Sequence, residues 1–102
     1  MKILENDTIY TFKLTTGEEI VARLVAQNPS ENYAIITHPI MIVPGPQGLQ
    51  MVPGLFSADL TQDVRLNNNN WVMVAQARGD VRDSWIEATT GIKPVTKKIL
   101  TG

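Results

Sequence analysis

The side chains best suited to holding a ligand are amides and an aromatic ring. Asn28, Asn32 and Tyr33 lie in one stretch, and Arg65, Asn67 and Asn68 lie together on a later connecting loop. A carboxamide both donates and accepts hydrogen bonds, so it can read the edge of an unpaired base, and a tyrosine ring offers a face on which a base can stack. Asn28, Asn32 and Tyr33 form the leading group, with the Arg65–Asn70 loop as a second. The competing reading is that the same residues only shape a turn and start a strand.

Nothing in the chain is spaced for catalysis. The single histidine, His38, stands directly before Pro39, with no Ser/His/Asp set or metal-ligand spacing around it. A general base needs a positioned partner and substrate access, so a structural or surface role is expected for it. Glu18 and Glu19 are adjacent, hence on opposite faces of a strand, and cannot work as a carboxylate pair. No Gly-rich loop joins a strand to a helix in the way a phosphate cradle requires. The chain has no cysteine, which excludes disulfides and thiolate metal sites. The expectation is a non-enzyme with no metal and no cofactor.

At 102 residues, 43% hydrophobic and 19% charged, the chain reads as one globular domain. A domain this small has little buried surface, and pairing with other subunits is a common way to gain more. No apolar run reaches the length of a membrane span, so no membrane partner is expected. Met1-Lys2-Ile3-Leu4-Glu5-Asn6-Asp7 turns acidic too early for a secretory signal, and a cytoplasmic location follows. The net charge of −1 gives no overall attraction to nucleic acid. Its distribution is uneven, with four basic and seven acidic residues in 1–77 but five basic and three acidic in 78–102. A local basic patch can supply phosphate contacts, although charged tails are usually only solvated.

The elements that must position these residues are mostly strands. From Ile9 to Leu14, Tyr10, Phe12 and Leu14 share one face and Thr11 and Lys13 the other. Thr15-Thr16-Gly17-Glu18 is a hairpin turn, with Gly17 free to take positive φ. The return strand, Glu19–Gln27, sets Ile20, Ala22, Leu24 and Ala26 on one side. Asn28–Asn32 is a loop, followed by an Ile- and Val-rich strand from Tyr33 to Val43 in which Pro39 predicts a bend or an edge. Pro44–Gly48 is a turn, and Leu49–Phe56 resumes as a strand broken by Pro53-Gly54. Val64-Arg65-Leu66 is a short alternating piece, Asn67–Asn70 a turn, and Trp71–Ala75 a last strand, apolar on both faces and expected to be buried. Val81, Trp85 and Ala88 then fall on one helical face over about 79–91, with Asp80 as N-cap and Gly91 as stop. Residues 93–102 form a basic tail after a domain spanning 1–92. Trp71 and Trp85 read as core or subunit contacts.

The hairpin resembles the first signature of the Sm-like fold, through Phe12, Leu14, Gly17, Ile20, Ala22 and Leu24, with Asn28 and Asn32 at family spacing beyond it. The likeness is greatest to the small Sm-like proteins of phages and of marine and other bacteria. It rests on Thr16-Gly17-Glu18-Glu19, Pro39, Gly48, Pro53 and Thr90-Gly91-Ile92 in that order, and it covers most of residues 9–92. Ala22 replaces a usual glycine and Asn28 a usual aspartate. The resemblance implies a mainly β chain: a small, strongly bent, five-stranded antiparallel Sm-like (SH3-like) partly open barrel with a C-terminal helix. It also implies a homo-oligomeric ring, closed by pairing strand four of one subunit with strand five of the next, and a partner of RNA or single-stranded DNA. The second Sm signature carries an Arg-Gly that holds RNA bases between the last two strands. Here Arg78-Gly79 instead opens the helix, and Leu55-Phe56-Ser57 has no such dipeptide.

Two functional classes therefore stay open. One is a ring-forming Sm-like module that binds RNA or single-stranded DNA. The other is a structural or protein-interaction module, such as an accessory phage component, that kept the fold without the RNA site.

Overall fold

A computed structural model describes residues 4–90, and six antiparallel strands and one helix account for most of them: β1 (Ile9–Leu14), β2 (Glu19–Asn28), β3 (Tyr33–Gly45), β4 (Gly48–Pro53), β5 (Val64–Asn67), β6 (Trp71–Gln76) and α1 (Gly79–Thr90). The strand order is β4-β3-β2-β1-β6, with β5 paired to β3 off this path. The sheet is open: β4 and β6 end the path, and β5, paired to β3 alone, is a further short edge. There are six strands rather than five, because the chain leaves β4 after Pro53 and returns to the other end of β3 as β5. Tyr33–Ile36 pairs with β5 and Ile40–Gly45 with β4.

The first hairpin forms as its residues dictate. Gly17 has φ +105°, the Gly17 amide donates to the Leu14 carbonyl at 2.9 Å, and the Leu14 amide donates to that of Glu18 at 2.8 Å. Alternation then packs Tyr10, Phe12, Ala22, Leu24, Ala34 and Ile36 into an inner core, with Trp71 and Val74 against it. Phe12 is fully buried, its ring edge-on to Trp71 at 5.6 Å between centroids.

The bend expected at Pro39 is a bulge in β3. Val21 pairs with Ile40 but Arg23 with Thr37, so His38 and Pro39 together oppose the single residue Ala22. His38 has φ +51° there. The extra residue inverts the alternation. Ala34 and Ile36 face the inner core, whereas Ile40 joins Val21, Val81 and Trp85 in a second core beneath α1. A second shift between Leu24 and Ala26 sets Ala26 opposite Ile35, so it leaves the Leu24 face on which strict alternation places it.

Three other expectations are corrected. The strand expected over Leu49–Phe56 with a break at Pro53-Gly54 does not resume after that break, because the Gly54 amide turns back to the Pro39 carbonyl at 2.8 Å, and Phe56 is left 83% exposed. Trp71–Gln76 is an edge strand rather than a buried one, with Val72 60% and Met73 62% exposed. Asp80 lies inside the first turn of α1, where its carboxylate accepts from the Val81 amide and the Arg78 guanidinium. The expected helix stop at Gly91 and the basic tail fall outside the described residues. Among those described, no helix is long and apolar enough to cross a membrane.

Candidate nucleic-acid interface

All six candidate residues converge on one end of the sheet, although more than thirty positions separate the two groups. Antiparallel pairing does this. Asn28 is opposite Tyr33 across the β2–β3 turn, and Tyr33 is opposite Asn67 across β3–β5. Arg65 leaves the same face two residues along, and its guanidinium carbon stands 4.9 Å from the centre of the Tyr33 ring. That spacing is a cation–π contact, which holds the ring and the charge together at the surface. Arg65 is exposed and Tyr33 half-buried.

The asparagines build the two turns that frame this pair. Asn28 Oδ1 accepts from the Ser30 hydroxyl at 2.9 Å and the Glu31 amide at 3.2 Å, closing a first 3-10 turn at Pro29–Glu31. Asn32 takes φ +60°, a conformation asparagine tolerates better than most residues, and its carbonyl accepts from the Asn68 amide at 3.0 Å. That bond ties one turn to the other. Asn67 Oδ1 caps the second 3-10 turn, Asn68–Asn70, by accepting from the Asn69 amide at 2.8 Å. Asn68 Oδ1 accepts the Trp71 indole N–H at 3.2 Å. Three of the carboxamide oxygens are therefore committed to the scaffold. A ligand would meet mainly amide N–H donors, the Arg65 charge and the exposed part of the Tyr33 ring. Asn28 Nδ2 makes only a long 3.5 Å contact to the Tyr33 hydroxyl.

Trp71 is both the inner-core contact expected of it and the residue that anchors Asn68, a link that sequence spacing did not single out. Trp85 is core, 4% exposed, with its indole N–H donating to the His38 carbonyl at 3.0 Å. The His38 ring stands edge-on to Trp85 at 6.0 Å and borders an apolar groove of about 250 Å³ with Met51, Leu60 and Ala88. Among the described residues no group of three or more His, Asp or Glu is placed to hold a metal ion.

The perturbed carboxyls are elsewhere, Glu18 and Asp59 exposed and Asp80 half-buried. The Thr16 hydroxyl lowers the Glu18 pKa, Thr61 lowers that of Asp59, and the Arg78 guanidinium lowers that of Asp80. Each is a local turn or cap contact rather than a poised acid or base. Compared with known proteins, the chain matches no protein-family model and no curated sequence.

Proposed function

We propose that the protein is a ring-forming module of the Sm-like kind that binds RNA or single-stranded DNA through the Tyr33–Arg65 pair and the asparagine turns around it. The observation that carries this reading is the convergence itself: two distant asparagine-bearing turns are bonded to each other around an aromatic ring stacked with a cation. Stacking on such a ring tolerates any base, and the guanidinium supplies a phosphate or cation–π contact. Ring formation is supported by the edges at β4 and β6, the two ends of the strand path. All the exposed large hydrophobic residues among those described, Leu49, Leu55, Phe56, Val72 and Met73, lie on β4 and β6 or just after β4. An open sheet with apolar edges calls for an edge partner, and joining unlike edges head to tail closes a ring when the rotation allows.

The committed Asn28, Asn67 and Asn68 oxygens favour the second reading, a structural or protein-interaction module that keeps the edges and binds no nucleic acid. Anisotropy titration of the protein with short U-rich RNA, A-rich RNA and single-stranded DNA at low and moderate salt separates the two. Nucleic-acid binding gives an affinity that falls with salt, and Arg65→Ala reduces the salt slope by about one. An absence of salt-dependent binding at low ionic strength leaves the interaction module. Light scattering that finds a monomer at micromolar concentration removes the ring.

A further inference from the structure

The exposed ring of Phe56 and the apolar groove beside His38 share one rim of the molecule. The groove, about 250 Å³, is walled by Ile40 and Met51 from the paired strands and by Ala88 from α1. Its remaining wall comes from the two ends of one connection, Pro53 at the close of β4 and Leu60 farther along. Phe56 lies between those two in the chain, is 83% exposed, and is not among the residues that line the groove.

The connection is held so that Leu60 turns in and Phe56 turns out. At its start the Gly54 amide is bonded to Pro39, in the bulge that carries His38. Toward its end the Asp59 carboxylate accepts from the Thr61 amide at 3.0 Å and the Thr61 hydroxyl at 2.5 Å, and the Asp59 carbonyl accepts from the Gln62 amide at 3.1 Å. These bonds close a turn around Leu60 and leave Leu55, 44% exposed, next to Phe56. Both stand past the last paired residue of β4, so they are no part of its hydrogen-bonding edge. An exposed apolar tip beside an apolar groove is a surface that calls for cover. A knob and a hole on one rim make that surface self-complementary, and a two-fold axis satisfies both at once. On opposite faces the same pair would add copies head to tail.

We propose that two copies of the chain dock through this rim, the Phe56 ring of each entering the groove of the other. A phenyl ring has no polar atom to satisfy and suits walls of isoleucine, methionine, proline and leucine, with the His38 ring as an aromatic neighbour. The Thr89 hydroxyl at the groove is already bonded to the Trp85 carbonyl at 2.9 Å, so an apolar occupant deprives it of nothing. An aromatic side chain buries about 150–250 Å², and two rings, two leucines and the walls they cover come to on the order of 1,000 Å². That area is near the lower limit for a specific interface and corresponds to a weak association, in the micromolar range. The contact is made by side chains of the connection and the groove, and it rests on neither the ring nor the nucleic-acid reading. It joins two chains if the protein is otherwise monomeric and two rings if the edges have closed.

Sedimentation velocity of the full chain over a concentration series tests the proposal. The wild type doubles its mass as concentration rises, with a midpoint of about 10–100 µM, whether the doubling species is a single chain or a ring. Phe56→Ser removes the knob at a position with little cover, and Ala88→Glu sets a charged side chain at the mouth of the groove from an exposed helix position. Each variant stays at the undoubled mass at about 100 µM, a loss of at least tenfold in association, and keeps the wild-type urea midpoint. A wild type that never doubles overturns the proposal, whether the groove is then covered by the chain's own residues 91–102 or by another protein. Doubling that survives in either variant overturns it as well, because knob and groove are both required. Mass that grows without limit refutes the two-fold closure. None of these outcomes depends on whether nucleic acid binds, so the earlier reading stands or falls by its own titration.

Discussion

Trp85→Phe isolates the side-chain hydrogen bond that ties α1 to β3. The indole is 4% exposed and donates at 3.0 Å to the carbonyl of His38, a residue 47 positions away in the bulge. Phenylalanine keeps an aromatic body against Val21, Ile40 and Val81 but offers no donor. Losing the bond costs about 1 kcal/mol, and the ring volume lost adds about 1 kcal/mol more in a packed core. For a domain of this size, about 2 kcal/mol corresponds to a fall in Tm of roughly 10 °C. Trp85→Ala, which empties the site, costs about 3–5 kcal/mol, a large part of the stability of a small domain. Urea unfolding followed by far-ultraviolet circular dichroism measures both, and Trp71 fluorescence gives a second probe that should report the same transition. A Trp85→Phe midpoint within about 0.5 kcal/mol of wild type at unchanged m-value would show that the helix is held by apolar area alone.

Other positions have expected outcomes of their own. A Cβ built on Gly54 meets the Pro39 carbonyl oxygen at 2.9 Å and the Pro39 Cβ at 3.1 Å, so Gly54→Ala should cost about 1–3 kcal/mol in the same urea assay. Asn32, at φ +60°, should lose about 1 kcal/mol on substitution by alanine and far less on substitution by glycine, since only the backbone conformation is at stake. Glu18, Asp59 and Asp80 have folded-state pKa values below their unfolded ones. Their contribution is therefore complete above the ordinary carboxylate range and is lost as pH falls through the lowered values. Tm measured downward from neutral pH should hold until about pH 5 and then decline, and Asp80→Asn should flatten part of that decline.

The strands were legible where alternation was unbroken. Tyr10, Phe12, Ala22 and Leu24 occupy the inner face that their spacing predicts, and Gly17 takes the positive φ its turn requires. Alternation could not show where register shifts. Pro39 marks the bulge, yet nothing local says that the inversion sends Ile40 to the helix side, because that is decided by pairing with Val21 on another strand. The apolar run at Trp71–Ala75 has the composition of a buried strand and lies at an edge. Composition reports that a surface wants cover, not whether the same chain supplies it. The site residues could be chosen by chemistry, but their meeting depends on β5 returning to β3, and the four-residue β5 carries little pattern by which to foresee it. Phe56 read as the end of a strand because the turn-back at Gly54 is fixed by a carbonyl fifteen positions earlier.

The bulge at His38–Pro39 acts on β3 as a change of reading frame. Upstream, even-numbered residues face the inner core, and downstream Ile40 and Ile42 face the helix, so one continuous strand is read by two cores. Deleting one residue there would restore a single frame and turn the whole second half over, with β4 carried along by its pairing. The two halves are thus free to vary independently. Ile36→Val and Ile40→Val should add in stability to within about 0.5 kcal/mol, each felt only by its own core. The Tyr33 end of the strand and the helix-bearing end can then be altered separately, although they share one backbone.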